Sequence, residues 1–148
     1  MDIINDAVRA LTTQLSGLWP QPAENPHLVN GKLRACPGSP NCVSSESSNP
    51  IDRIEPISFK GSQEEAWAAL KEVVTQNEGT VRGEEKEYLW SIFVVPVFGF
   101  IDDVEFRLSP NEGVIHVRSA SRLGFSDLGV NRGRVEQLRA AFRKLQDR

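Results

Sequence analysis

Apolar positions along this chain switch between a helical and a strand spacing, and the switches divide it into segments. Over residues 2–18, Ile3, Ile4, Ala7, Val8, Leu11, Leu15 and Leu18 fall on one helical stripe, which Gly17 and Pro20 then end. From Pro20 to Pro50 periodicity is lost: six prolines and many Asn and Ser residues predict an irregular arm. The pattern tightens after Pro50. RIEPISF reads as a short strand. SQEEAWAALKEVVTQN opens with Ser62 and Glu65 at capping-box spacing and repeats Ala66, Trp67, Leu70, Val73 and Val74 at helical spacing. TVRGEEKEYLWSIFVVPV predicts one or two strands with Gly83 at the turn, and GFIDDVEFRLS with GVIHVRSASRLG predicts a hairpin around Pro110–Gly113. Last, NRGRVEQLRAAFRKLQ places Val135, Leu138, Phe142 and Leu145 at helical spacing, with Asp127 or Asn131 suited to cap it.

The order of strand, helix, three or four strands, helix implies an α+β fold. Its economical form is an antiparallel sheet of four to five strands with two helices packed on one face, plus an N-terminal helix and a Pro-rich arm. The expected units are an amphipathic extension (1–19), an arm with a cysteine loop (20–50) and an α+β domain (51–148), the globular unit beginning near residue 33. Because a slip of one residue flips every side chain, the hairpin register is readable from its pattern. Setting Leu108 opposite Ile115 places Phe106 against Val117 and Val104 against Ser119 on one face. The other face then pairs Arg107 with His116 and Glu105 with Arg118, near Asp103 and Arg122.

Composition changes this picture little. The chain has 148 residues, 39% hydrophobic and 25% charged, which suits one globular domain with a core of its own. A net charge of -3 gives no reason to expect nucleic acid. The charge is uneven, however: residues 114–148 carry eight Lys/Arg against three Asp/Glu, and residues 1–113 carry nine against seventeen. Opposite halves that neutralise each other in the fold explain this most simply. Acidic Asp2 and Asp6 stand where a secretory leader has basic residues, and the longest apolar run, Tyr88–Phe100, falls short of a bilayer span. The expected location is therefore cytoplasmic, with two alternatives: attachment to a membrane surface, or an oxidising compartment reached through a leader already removed.

Candidate chemistry gathers in three places. The hairpin face offers Arg118 and Arg122 as a clamp for a carboxylate or phosphate; more simply, it is a salt-bridge ladder that fixes register. Asp103, Glu105 and His116 are the weak catalytic candidates there, and Asp102, Asp103 and Glu105 are few ligands for a hard cation. Arg132 and Arg134, beside a Gly-bearing loop entering the last helix, suit anion binding, although such junctions are more often plain caps. CPGSPNC holds both cysteines, Cys36 and Cys42. Five intervening residues exceed usual zinc-ligand spacing and do not make a redox C-x-x-C, but a local disulfide is sterically feasible. Two free structural thiols remain the alternative, and a site drawing on His27 and His116 is possible only in count. Whatever its redox state, this loop positions Asn41, Ser44 and Ser45.

CPGSPNCVSS, GFIDDVEFRL and VRSASRLGFSDLGVNRGRVEQLR together resemble domain of unknown function family 1499, found in bacteria and photosynthetic eukaryotes, over about residues 33–145. The resemblance brings no activity, cofactor or catalytic residue with it. Some relatives carry an export or chloroplast-targeting segment, which suits a Cys36–Cys42 disulfide. The expectation is a small non-enzymatic binding or accessory module without cofactor or metal. Its contact surface is the Cys36–Ser45 loop with the Arg118–Arg134 segment, meeting a protein partner or an anionic small molecule. An accessory role in a membrane-associated complex suits the N-terminal helix. The alternative is a small hydrolase or isomerase with Asp103 or Glu105 as base and Arg118 as anion clamp.

Overall fold

Six strands and three helices form in the computed structural model, which describes residues 3–16, 25–38, 40–95, 99–122 and 129–148. In chain order these are α1 (Ile3–Ser16), β1 (Cys42–Ser44), β2 (Ile57–Ser58), α2 (Gln63–Gln76), β3 (Thr80–Glu85), β4 (Tyr88–Val94), β5 (Ile101–Ser109), β6 (Val114–Ser121) and α3 (Val130–Gln146). The sheet runs β1-β6-β5-β4-β3, all antiparallel, and β2 also pairs with β6. Two short strands thus share the outer edge of β6: β1 along Arg118–Ala120 and β2 along Val114–Ile115. The segment between them leaves the sheet and returns.

The β5–β6 hairpin has the register read from the sequence, with Glu105 opposite Arg118, Phe106 opposite Val117 and Leu108 opposite Ile115. Its tight turn closes at Gly113, where a positive φ of 68° suits a residue without Cβ. On the face bearing Val104, Phe106, Ile115 and Val117, helices α2 and α3 pack through Leu70, Val73, Val135, Leu138 and Phe142. Helix α2 starts as expected: the Ser62 hydroxyl accepts from the Glu65 amide at 3.1 Å and donates to its carboxylate at 3.2 Å.

Four local expectations are corrected. Gly83 lies inside β3 at a register shift, and the β3–β4 turn falls at Lys86–Glu87, because the bulge absorbs the glycine without ending the strand. RIEPISF contributes only the two residues of β2. The arm expected to be irregular to Pro50 supplies β1, and at Asn30–Gly31 it makes a two-residue turn with φ of 52° and 76° between Val29 and Lys32. Finally, Gly129 at φ 83° is the N-cap of α3, with Asn131 inside the helix; Asp127 lies outside the described residues.

The second face of the sheet is not left to water. Leu33 of the arm packs with Tyr88, Trp90, Ile92 and Ile101, and Leu28 lies against the same cluster. Almost all of β4 and β5 is therefore buried on both faces. No helix among the described residues is long and apolar enough to cross a membrane.

Two glycines separate packing from backbone effects. A Cβ on Gly79 would lie 2.5 Å from the Phe93 ring and 2.8 Å from Val74, whereas one on Gly133, inside α3, meets nothing within 4 Å. Gly79→Ala is expected to destabilise by roughly 1–3 kcal/mol through overpacking, and Gly133→Ala to stabilise by about 0.5–1 kcal/mol through helix propensity. Urea denaturation of the two variants measures both signs.

Candidate functional site

Odd-numbered positions of β5 and even-numbered positions of β4 and β6 face the arm, and nearly every charge there has a protein partner. Glu105 is completely buried. Its Oε1 accepts from the Tyr88 hydroxyl at 2.7 Å, while Oε2 accepts from Arg34 at 3.0 Å and Arg118 at 3.2 Å. Arg118 also donates to the Ala35 carbonyl at 3.3 Å, tying β6 to the arm. Asp103 accepts from the Trp90 indole at 2.8 Å and from Arg122 at 3.0 and 3.1 Å. Burial and the neighbouring Glu105 charge push the Tyr88 hydroxyl well above its ordinary pKa. Burial, aided by the like charge of Arg34, lowers that of Arg118 in spite of Glu105.

Beside this group, Arg107 makes a two-pronged bond to Glu46 at 3.0 and 2.7 Å, and the Leu33 amide donates to the same carboxylate at 3.0 Å. The buried Ser45 hydroxyl accepts from the Val117 amide at 2.9 Å, so its own proton points to His116 Nδ1, also 2.9 Å away. His116 Nε2 then donates to Glu112 at 3.1 Å. This serine–imidazole–carboxylate chain has the two ring nitrogens exchanged relative to a hydrolytic triad, in which serine meets Nε2. With Ser45 buried and its oxygen already accepting an amide, the chain braces β6 against the segment after β1.

The remaining expected site residues lie toward α3. Arg134 donates to buried Asp102 and lies over the Phe93 ring, 5.2 Å from its centroid. Arg132 donates to the Arg53 and Ile51 carbonyls at 3.1 and 3.0 Å. Asn41 is buried, and its carbonyl accepts from Asn131 at 3.1 Å. The Ser44 hydroxyl accepts from the Glu46 amide at 3.2 Å. Cys36 and Cys42 are bonded to each other, with their Cα atoms 5.7 Å apart, which takes both away from any zinc site. The described residues include no group of three or more metal-ligating side chains.

The sequence-derived candidates therefore fall into two groups, one around Glu105 and one around Asn131, on opposite faces of the sheet. Missing from that set were Arg34, Glu46, Tyr88, Trp90 and Arg107. Tyr88 and Trp90 alternate along β4 toward the charged face, a signal available once β4 was registered against β5; Arg34 and Glu46, in aperiodic segments, gave none.

A recess opens on the arm side. It has a volume of about 280 Å³ and lies between the arm segment 32–38 and the segment 44–52 that loops out between β1 and β2. Its wall includes Lys32, Arg34, Ala35, the Cys36 half of the disulfide, Gly38, Ser44, Glu46, Ser48, Asn49 and Asp52.

A family model described as protein of unknown function (DUF1499) matches residues 32–142. The chain belongs to the DUF1499 family. No curated protein matches it. The matched span begins in the arm and ends within α3, so the DUF1499 unit contains both the recess and the charged face behind it.

The DUF1499 site also has a pH signature. Burial pushes the Glu46 carboxyl up, but the bonds from Arg107 and the Leu33 amide outweigh this and leave it below its ordinary 4.5. A depressed native pKa stabilises the fold fully above the unfolded value, and that contribution is lost as pH falls through the native one. The stability difference between wild type and Glu46→Gln is thus expected to be constant from pH 7 to about 5.5 and to shrink below the unfolded value near 4.5. Guanidinium titrations at several pH values check this; a difference independent of pH down to 3 contradicts it.

Proposed function

We propose that the DUF1499 domain is a non-enzymatic binding module whose ligand site is the recess between the arm and the 44–52 segment. The observation that carries this reading is the contrast between that open recess, which polar and charged side chains help to line, and the closed pairing of every proposed catalytic group. A general base needs a free lone pair within reach of a substrate proton. Glu105 is buried with three donors, and both oxygens of Asp103 are engaged, so the hydrolase or isomerase alternative has little support. The Cys36–Ser45 loop contributes Cys36, Gly38 and Ser44 to the wall. Two arginines of the 118–134 segment brace that wall from behind, Arg118 through Glu105 and the Ala35 carbonyl and Arg132 through the carbonyls of Ile51 and Arg53.

A second reading concerns attachment. Helix α1 leaves Ala7 exposed and Leu11 46% exposed on its apolar stripe, which supports docking to a protein partner, with a membrane-associated complex as the setting.

Amide shift mapping with a panel of neutral, cationic and anionic metabolite-sized probes tests the first reading. Perturbations are expected to cluster at residues 33–38 and 44–52 for at least one probe, without turnover of that probe. Shifts confined to other parts of the domain, or none at all, contradict the reading.

A further inference from the structure

We propose that the recess takes a small organic anion of single negative charge, a hydroxylated monocarboxylate. The inference rests on the binding-module reading and specifies the ligand of that same site. It starts from a charge imbalance. Arg34 and Arg118 both direct a guanidinium at one oxygen of Glu105, whose other oxygen is occupied by Tyr88. Two cations therefore share one buried anion. The next carboxylate on that face, Asp103, spends its hydrogen bonds on Arg122 and Trp90 and acts on Arg118 only through its field. The Nε atoms of Arg34 and Arg118 are both buried without a partner. With 92% of its side chain buried, Arg118 cannot meet an anion from solvent, but Arg34, 32% exposed, lines the recess and carries the surplus charge to it. Lys32, 71% exposed, stands in the same wall.

The two carboxylates in the wall set the upper limit on ligand charge. Glu46 is matched by Arg107, the Leu33 amide and, at 3.6 Å, Lys32; Asp52 accepts the Ser47 hydroxyl. Neither bonds Arg34, yet their fixed negative charge opposes a dianion. A monocarboxylate matches one surplus guanidinium and suits its planar donor geometry. A volume of about 280 Å³ lies at the small end for organic ligands. Ser48 and Asn49, exposed in the same wall, offer a hydroxyl and an amide to ligand hydroxyls.

Calorimetry at low ionic strength, with amide shift mapping to locate each event, tests the assignment using glycerate, glycerol, inorganic phosphate and malonate. Glycerate is expected to bind at residues 33–38 and 44–52, and both Lys32→Ala and Arg34→Gln to weaken it by about tenfold or more. Since Arg34 also supports Glu105, Lys32→Ala provides the readout that does not depend on the fold. Unchanged glycerate affinity in Lys32→Ala and a folded Arg34→Gln overturns the proposal, as does tighter binding of phosphate or malonate. Binding of glycerol at the recess without glycerate overturns the charge assignment while leaving the binding-module reading intact. No perturbation there by any probe overturns both.

Discussion

One buried carboxylate organises the arm side of this fold. Glu105, in the middle strand of the sheet, joins β4 through Tyr88, β6 through Arg118 and the arm through Arg34. Burying a charge costs several kcal/mol, and only near-complete hydrogen bonding offsets that cost. The partners must therefore all arrive together, which makes the group a specificity device as much as a stabilising one. It also fixes register: shifting β5 by one residue would exchange Glu105 for Phe106 and turn the carboxylate toward Leu138 and Phe142.

An antiparallel sheet ordinarily covers one face and wets the other. Here the charged face is covered as well, by the irregular segment 25–38, which forms neither helix nor named strand. The arm holds its place through separate anchors: Leu33 in the Tyr88–Trp90 cluster, Arg34 on Glu105, and the Cys36–Cys42 disulfide to the start of β1. Closing so short a loop limits the unfolded chain by on the order of 2 kcal/mol. Because β1 and β2 share the edge of β6 in two pieces, the segment between them bulges beside the arm, and the recess follows from that division.

Much of this was legible in the sequence where alternation is strict. The β5–β6 register followed from Val104, Phe106 and Leu108 against Ile115, Val117 and Ser119, and the two helices on one face followed from Ser62, Leu70, Val135 and Phe142. The charges opposite, Glu105 and Arg118, were read correctly as a cross-strand pair. What covers them was not readable, because residues 25–38 have no period and Arg34 reaches Glu105 from 71 residues away. Strand β1 was hidden for a similar reason: three residues between prolines and serines carry no detectable alternation. Gly83 misled because a glycine marks a turn or a bulge equally well. The recess belongs to neither strand nor helix; its walls are two aperiodic segments brought together by contacts distant in sequence.

If Glu105 fastens the arm to the sheet, Arg34 and Glu105 must be energetically coupled. A double-mutant cycle of Arg34→Gln and Glu105→Gln, read by urea denaturation, measures that coupling without assigning the single-mutant costs. The account predicts a favourable coupling of about 1–3 kcal/mol. Additive effects of the two substitutions, with a coupling indistinguishable from zero, would contradict it.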